Sequence, residues 1–113
     1  MALRVTRWAE AKPPTKAELE ERFFREGLFP YEWSNGPGDT YLAHVHDYDK
    51  VLYVMHGSIT WRLPETAEVI ETRAGDRIDL PRGTWHAAQV GPDGVACLEG
   101  QREEDVPCAD DSP

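Results

Sequence analysis

The stretch Gly38–Gly57, "GDTYLAHVHDYDKVLYVMHG", holds three of the four histidines in the chain. His44 and His46 are one residue apart, and Lys50 follows four positions after His46. In a β-strand, residues i and i+2 project to the same side, ~7 Å apart along the chain. If "TYLAHVH" is a strand, both imidazoles therefore address one space, and they can share an ion at ~2.0–2.1 Å. Leu42 falls on the same face and is expected to give that space an apolar floor. Tyr41 is expected to face away. Lys50 works against a metal, because a protonated amine cannot ligate.

A third histidine extends the set. "GDRIDLPRGTWHAAQV" (residues 75–90) places His86 just after a Pro81-x-Gly83 turn. Pro81 fixes φ and Gly83 supplies conformational freedom, so the turn defines the register of the next strand and aims His86. In a small barrel, strands distant in sequence face one another across the interior. Three histidines on inward faces would form an open three-nitrogen site.

Outward from these two stretches the chain reads as short β-runs broken by turns. The runs are "FPYEW", "TYLAHVH", "KVLYVM", "SITWRL", "AEVIE", "DRIDL", "TWHAAQV" and "VACLEG", with "HG" and "GPDG" among the breaks. Closely spaced strands without intervening helices predict an antiparallel sandwich or barrel. Before them, "LRVTRW" reads as a short strand. "TKAELEERFFREG" reads as a helix, with Thr15 and Glu18 as a capping box, Leu19 and Phe23 on one face, and Gly27 as the stop. The expected organisation is residues 1–27 packing on a barrel of residues 28–100, followed by an acidic flexible tail, 101–113.

The pattern Gly38-x5-His44-x-His46-x3-Lys50-x6-Gly57 resembles the first motif of the cupin superfamily. Gly75-x5-Pro81-x-Gly83-x2-His86 resembles the second. The resemblance spans residues 28–100 and implies a small antiparallel jelly-roll β-barrel. It also implies a divalent metal, Fe, Zn, Ni or Mn, held by His44, His46 and His86. Cupins include dioxygenases, isomerases, decarboxylases, storage proteins and ligand-binding domains, so the fold does not choose the reaction.

Two positions depart from the motifs: Lys50 stands where the family has a ligating glutamate, and Val90 where it has an asparagine. Four arrangements remain open. The three histidines hold the metal alone. Asp47 or Asp49 supplies a carboxylate instead. Lys50 turns to the rim and pairs with Asp47, Asp49 or Glu99. Or the site is metal-free, and Lys50 binds an anion among neutral histidines. Strand parity does not decide, because Leu52 and Val54 on one face of "KVLYVM" are as apolar as Val51, Tyr53 and Met55 on the other. Both faces read as buried, one of them beneath the helix or a second subunit.

Lys50 and Glu99 are the candidate catalytic residues. Lys50 would act as an acid/base group or anion anchor, and Glu99 as a general base or the partner of Lys50. His56 reads as a surface histidine at a hairpin turn, and Trp61 and Trp85 as packing residues. Arg62, Arg77 and Arg82 read either as surface charges or as groups that orient a carboxylate.

With 113 residues the chain makes one domain. A net charge of −9 argues against nucleic-acid and anionic-membrane partners. The first residues lack the apolar core of a signal peptide, and Cys97 and Cys108 read as reduced thiols, so a cytoplasmic protein is expected. The strand "LRVTRW" is a candidate to pair with a partner's sheet in a homodimer. Two functions are carried forward. One is a metal-dependent enzyme of dioxygenase or isomerase type acting on a small molecule. The other is a non-catalytic module that binds a small ligand.

Overall fold

The computed structural model describes residues 3–102. Its elements are β1 (Arg4–Thr6), α1 (Lys16–Arg25), β2 (Tyr31–Asn35), β3 (Thr40–His44), β4 (Asp49–Leu63), β5 (Glu68–Arg73), β6 (Arg77–Leu80) and β7 (His86–Arg102). The long strands β4 and β7 pair antiparallel and are shared by both halves of the barrel. One half runs β1-β6-β4-β7-β2. In the other, β5 flanks the far end of β4 and β3 flanks the near end of β7. The result is the expected antiparallel jelly-roll barrel.

Two of the expected turns are interruptions within strands. "HG" at His56–Gly57 does not end a strand, and β4 runs through it as a bulge. Opposite it, "GPDG" is carried inside β7, where the pairing jumps from Ile59↔Val90 to Gly57↔Val95. Extra residues on one strand bend the ladder locally, which wraps one long pair around two sheets. Gly57 is required at this point. Its φ is +84°, and a Cβ there would overlap the Gly94 carbonyl. His56 is therefore an exposed residue at a bulge, and not the hairpin histidine expected from the sequence.

The alternation of β4 separates two cores. Leu52 and Val54 point into the barrel, with Ile59, Trp61, Ile78, Leu80, Val90, Val95 and Cys97. Val51, Tyr53 and Met55 point outward, where Leu19 and Phe23 of α1 cover them with Ala96 and Leu98. The Phe23 ring meets Tyr53 edge-on, with centroids 5.4 Å apart. Burying side chains of this size contributes roughly 1.5–3 kcal/mol each. The helix starts at the Thr15–Glu18 capping box, formed in both directions. At its other end Glu26 is tied to the barrel by Arg77 and Arg102.

β1 pairs with β6 of its own chain and stands at the edge of its sheet. β7 continues to Arg102, two residues past the expected end of the barrel. The acidic segment from residue 103 onward, with Cys108, lies outside the described residues. Among the described residues no helix is long and apolar enough to cross a membrane.

The helix–barrel contact can be tested on its own. Phe23→Ala should destabilise the protein by about 3–5 kcal/mol in urea unfolding. Thr15→Ala, which removes only the cap, should cost about 1 kcal/mol.

Candidate functional site

The pairing of β3 with β7 decides which side chains meet inside the barrel. Tyr41 pairs with Ala88 and His44 with His86, so β3 advances three residues while β7 advances two. This one-residue bulge puts Tyr41 and His44 on the same, inward side. The expected alternation fails here. Tyr41 lines the interior cavity, and Leu42 is turned out and 87% exposed instead of forming an apolar floor.

His46 lies beyond β3 in the loop to β4, and the Pro81–Gly83 turn holds that loop in place. Gly83 donates its N–H to the His46 carbonyl (2.8 Å), and the Arg82 N–H donates to the Asp49 carboxylate (2.8 Å). Gly83 has φ +77°, the left-handed conformation that glycine adopts without strain. One turn therefore starts the strand carrying His86 and also anchors the backbone of His46.

Ligand atoms of His44, His46 and His86 all lie within 4.8 Å of one another. Nitrogens ~2.1 Å from one tetrahedral ion sit ~3.4 Å apart, so the rings would draw together to close on an ion. Two rings are pre-oriented. Nδ1 of His44 lies 2.8 Å from the Leu42 carbonyl, and Nδ1 of His86 lies 2.9 Å from the Thr84 carbonyl. A carbonyl only accepts, so each Nδ1 carries the proton and each Nε2 keeps its lone pair for a ligand. Metal-binding histidines are commonly supported in this way. The donor set fits a divalent metal with open positions. Asp47 and Asp49 stand outside the group, and Asp49 is engaged with Arg82.

Lys50 points inward, on the face of Leu52 and Val54, and not to the rim. Its side chain is only 6% exposed. Nζ lies 3.4 Å from Nε2 of His46 and 3.5 Å from Oε2 of Glu99. Glu99 is itself almost fully buried, on the inward face of β7 with Cys97. Its carboxylate accepts from the Tyr31 hydroxyl (2.6 Å), the Trp33 indole (3.0 Å) and the Gln101 amide (3.2 Å). This places Glu99 in an ion pair with Lys50 inside the barrel, whereas the pairing among the four arrangements put Lys50 at the rim. Burial and the neighbouring Glu99 charge raise the Tyr31 phenol, so Tyr31 remains a donor.

Tyr31 and Trp33 went unnoticed in the sequence. Their i,i+2 spacing in "YEW" was the available signal, since it places both aromatics on one face of a strand. Trp61 packs in the core and also lines the cavity, whereas Trp85 is turned outward. The arginines do not line the cavity. Arg77 is held by Glu26 and Asp79, and Arg82 pairs with Asp49. The cavity is small, about 40 Å³, with Trp33, Tyr41, Ile59 and Trp61 on its apolar walls.

Burial pushes the His86 imidazole down to about 4, against the Thr84 carbonyl, which favours the protonated ring. Charge on His44, Lys50 and His46 adds to the lowering. Unfolded, the ring binds its proton near pH 6.5, so the unfolded chain is the better proton acceptor between those values. The metal-free protein should therefore keep its full stability above pH 6.5 and lose about 3 kcal/mol of it as pH falls towards 4. Urea unfolding across that range should show the slope, and His86→Gln should flatten it.

No protein-family model matches the sequence, and no curated protein matches it. Solved structures do. The lyase DddQ from Ruegeria pomeroyi, described as a DMSP lyase, aligns over 72% of this chain and 41% of its own, with 20% identity and a TM-score of 0.62. The polyketide cyclase RemF from Streptomyces resistomycificus aligns over 71% of this chain and 62% of its own, with 23% identity and a TM-score of 0.57. An RmlC-like cupin from Shewanella frigidimarina aligns over 69% and 68%, with 20% identity and a TM-score of 0.57. The chain spans about two fifths of the length of the DMSP lyases it matches. The antiparallel barrel built on the long β4–β7 pair has the cupin, or double-stranded β-helix, fold of these solved structures.

Proposed function

We propose that the protein binds a divalent metal through His44, His46 and His86 and handles a small organic molecule in the adjoining cavity. The observation that carries this reading is the convergence of three imidazoles, two of them held through Nδ1 by backbone carbonyls. Similarity in fold to DMSP lyases and to a polyketide cyclase supports a small-molecule ligand. A bound metal would supply Lewis-acid chemistry, or redox chemistry in the case of iron. Dioxygenase- and isomerase-type reactions both fall within that range, because imidazole suits several metals.

The residues of the chain divide the remaining work. The apolar walls exclude water and orient the body of the ligand. Lys50 holds a positive charge beside the histidines, and Glu99 holds Lys50 in place. The proposal extends to a homodimeric, cytoplasmic protein, with β1 at a sheet edge as the strand available for pairing. The buried free thiol of Cys97 is compatible with a reducing compartment.

A second reading has its own observation. The Lys50 ammonium reaches His46 Nε2, the atom a metal would need. A non-catalytic cupin that holds a ligand without metal would look like this.

Elemental analysis of untagged protein after exposure to Fe(II), Zn, Ni and Mn separates the two. Near-stoichiometric metal that is lost in His86→Ala is expected, and wild type that takes up none of the four ions would end the metal reading. Lys50→Glu introduces a carboxylate at the position of the family's glutamate ligand. Metal affinity should rise at least tenfold in a competition titration with a chromogenic chelator.

A further inference from the structure

We infer that the barrel cavity is a site for a small, uncharged, apolar molecule of about two to four heavy atoms, either dioxygen or a short aliphatic, and that it shuts out rings and ions. This rests on reading the cavity as a ligand site and names the class of ligand, but it requires no metal.

The first argument is size. One water needs ~10–15 Å³ of cavity, an apolar cavity of ~150 Å³ admits benzene, and pockets for drug-sized ligands run to ~300–1,000 Å³. At about 40 Å³ the barrel cavity has room for more than a water and too little for a ring. Its walls do not yield readily. Leu52, Ile59, Trp61 and Ala88 belong to the packed core of the barrel, and cores of this kind are as dense as organic crystals.

The second argument is where the polar atoms of the wall point. Almost all of the surface turned to the cavity is carbon, much of it from Trp33, Tyr41, Leu52, Ile59, Trp61 and Ala88. The aromatic residues among them spend their polar atoms on neighbours. The Trp33 indole donates to Glu99 (3.0 Å), the Trp61 indole to the Thr72 hydroxyl (3.1 Å), and the Tyr41 hydroxyl to the Asn35 side-chain carbonyl. Lys50 is engaged by both Glu99 and His46, so the charges in the wall answer one another. Among the described residues no buried side-chain nitrogen or oxygen lacks a hydrogen-bond partner. A trapped water needs about two to four polar partners, and here it meets only the edges of the histidines. An ion would shed its hydration in a chamber of carbon. An apolar molecule gives up no hydrogen bond on entering. His44 and His86 line the same space, so such a molecule lies against the histidine group.

Xenon is the first probe, an apolar sphere that enters cavities of this kind. Dioxygen and propane represent the two sources of ligand, and benzene and acetate test size and charge. Binding is read by two-dimensional NMR on the full chain after EDTA treatment, from the indole N–H resonances of Trp33 and Trp61 and the methyl resonances of Leu52, Ile59 and Ala88. Xenon under pressure should shift these resonances saturably, and benzene and acetate should bind at least tenfold more weakly. Displacement of xenon by dioxygen or by propane supports the inference and identifies the source; displacement by neither overturns it. Ala88→Leu, which fills the cavity, should weaken xenon at least tenfold, and Ile59→Ala, which enlarges it, should admit benzene. Wild type that shows no saturable xenon shifts overturns the inference even where a variant fails to fold. So does wild type that binds acetate or benzene as tightly as propane. Xenon binding in protein that never loads metal leaves this inference standing and removes the metal reading. Metal loading without xenon binding does the reverse.

Discussion

The antiparallel pairing of β4 with β7 is the constraint on which the rest of the molecule depends. Each strand is too long for one flat sheet, and the interruption at Gly57 and residues 91–94 lets the pair bend through two sheets. That bend turns Lys50 and Leu52 inward at one end and Ile59 and Trp61 inward at the other. It also aligns Glu99 with Leu52 across the ladder, one pleat from Lys50. The ion pair, the apolar cavity wall and the strand bearing His86 are thus consequences of a single ladder.

A second tie closes the site. The Pro81–Gly83 turn is hydrogen-bonded to the loop that carries His46 and to Asp49 at the start of β4. The histidines come from three separate places, a bulged strand end, a loop and a strand start, yet the turn ties the backbone of His46 to the strand of His86, which pairs in turn with His44. Orientation then comes from the Leu42 and Thr84 carbonyls. Pre-orientation of this kind lowers the cost of binding, because the rings need not be ordered when a ligand arrives.

Beside the histidines the barrel buries a charge pair that many cores would replace with apolar side chains. Such a pair is weak evidence for stability, because desolvation offsets much of the attraction. Here three further donors surround the carboxylate, drawn from the opposing strand β2 and from β7 itself. Retaining two charges in a cavity wall is easier to understand as provision for a ligand than as support for the fold.

Much of this was legible in the residues themselves. The glycine and proline spacing around the histidines, the capping box at Thr15 and the i,i+4 pair Leu19 and Phe23 are local patterns with local causes. The helix follows from its own pattern, and the jelly-roll barrel and the grouping of His44, His46 and His86 are what the resemblance to the cupin motifs implied. The two apolar faces of "KVLYVM" likewise indicated a wall covered on both sides. Other features required the tertiary structure. The inward turn of Tyr41 and the exposure of Leu42 follow from a bulge in the β3–β7 register, and period-two alternation cannot anticipate an inserted residue. The direction of Lys50 and its pairing with Glu99, 49 positions later, depend on how far β7 slides along β4. Residue type and spacing determined which groups could meet. Strand register, set by bulges and by packing across the barrel, decided which ones do.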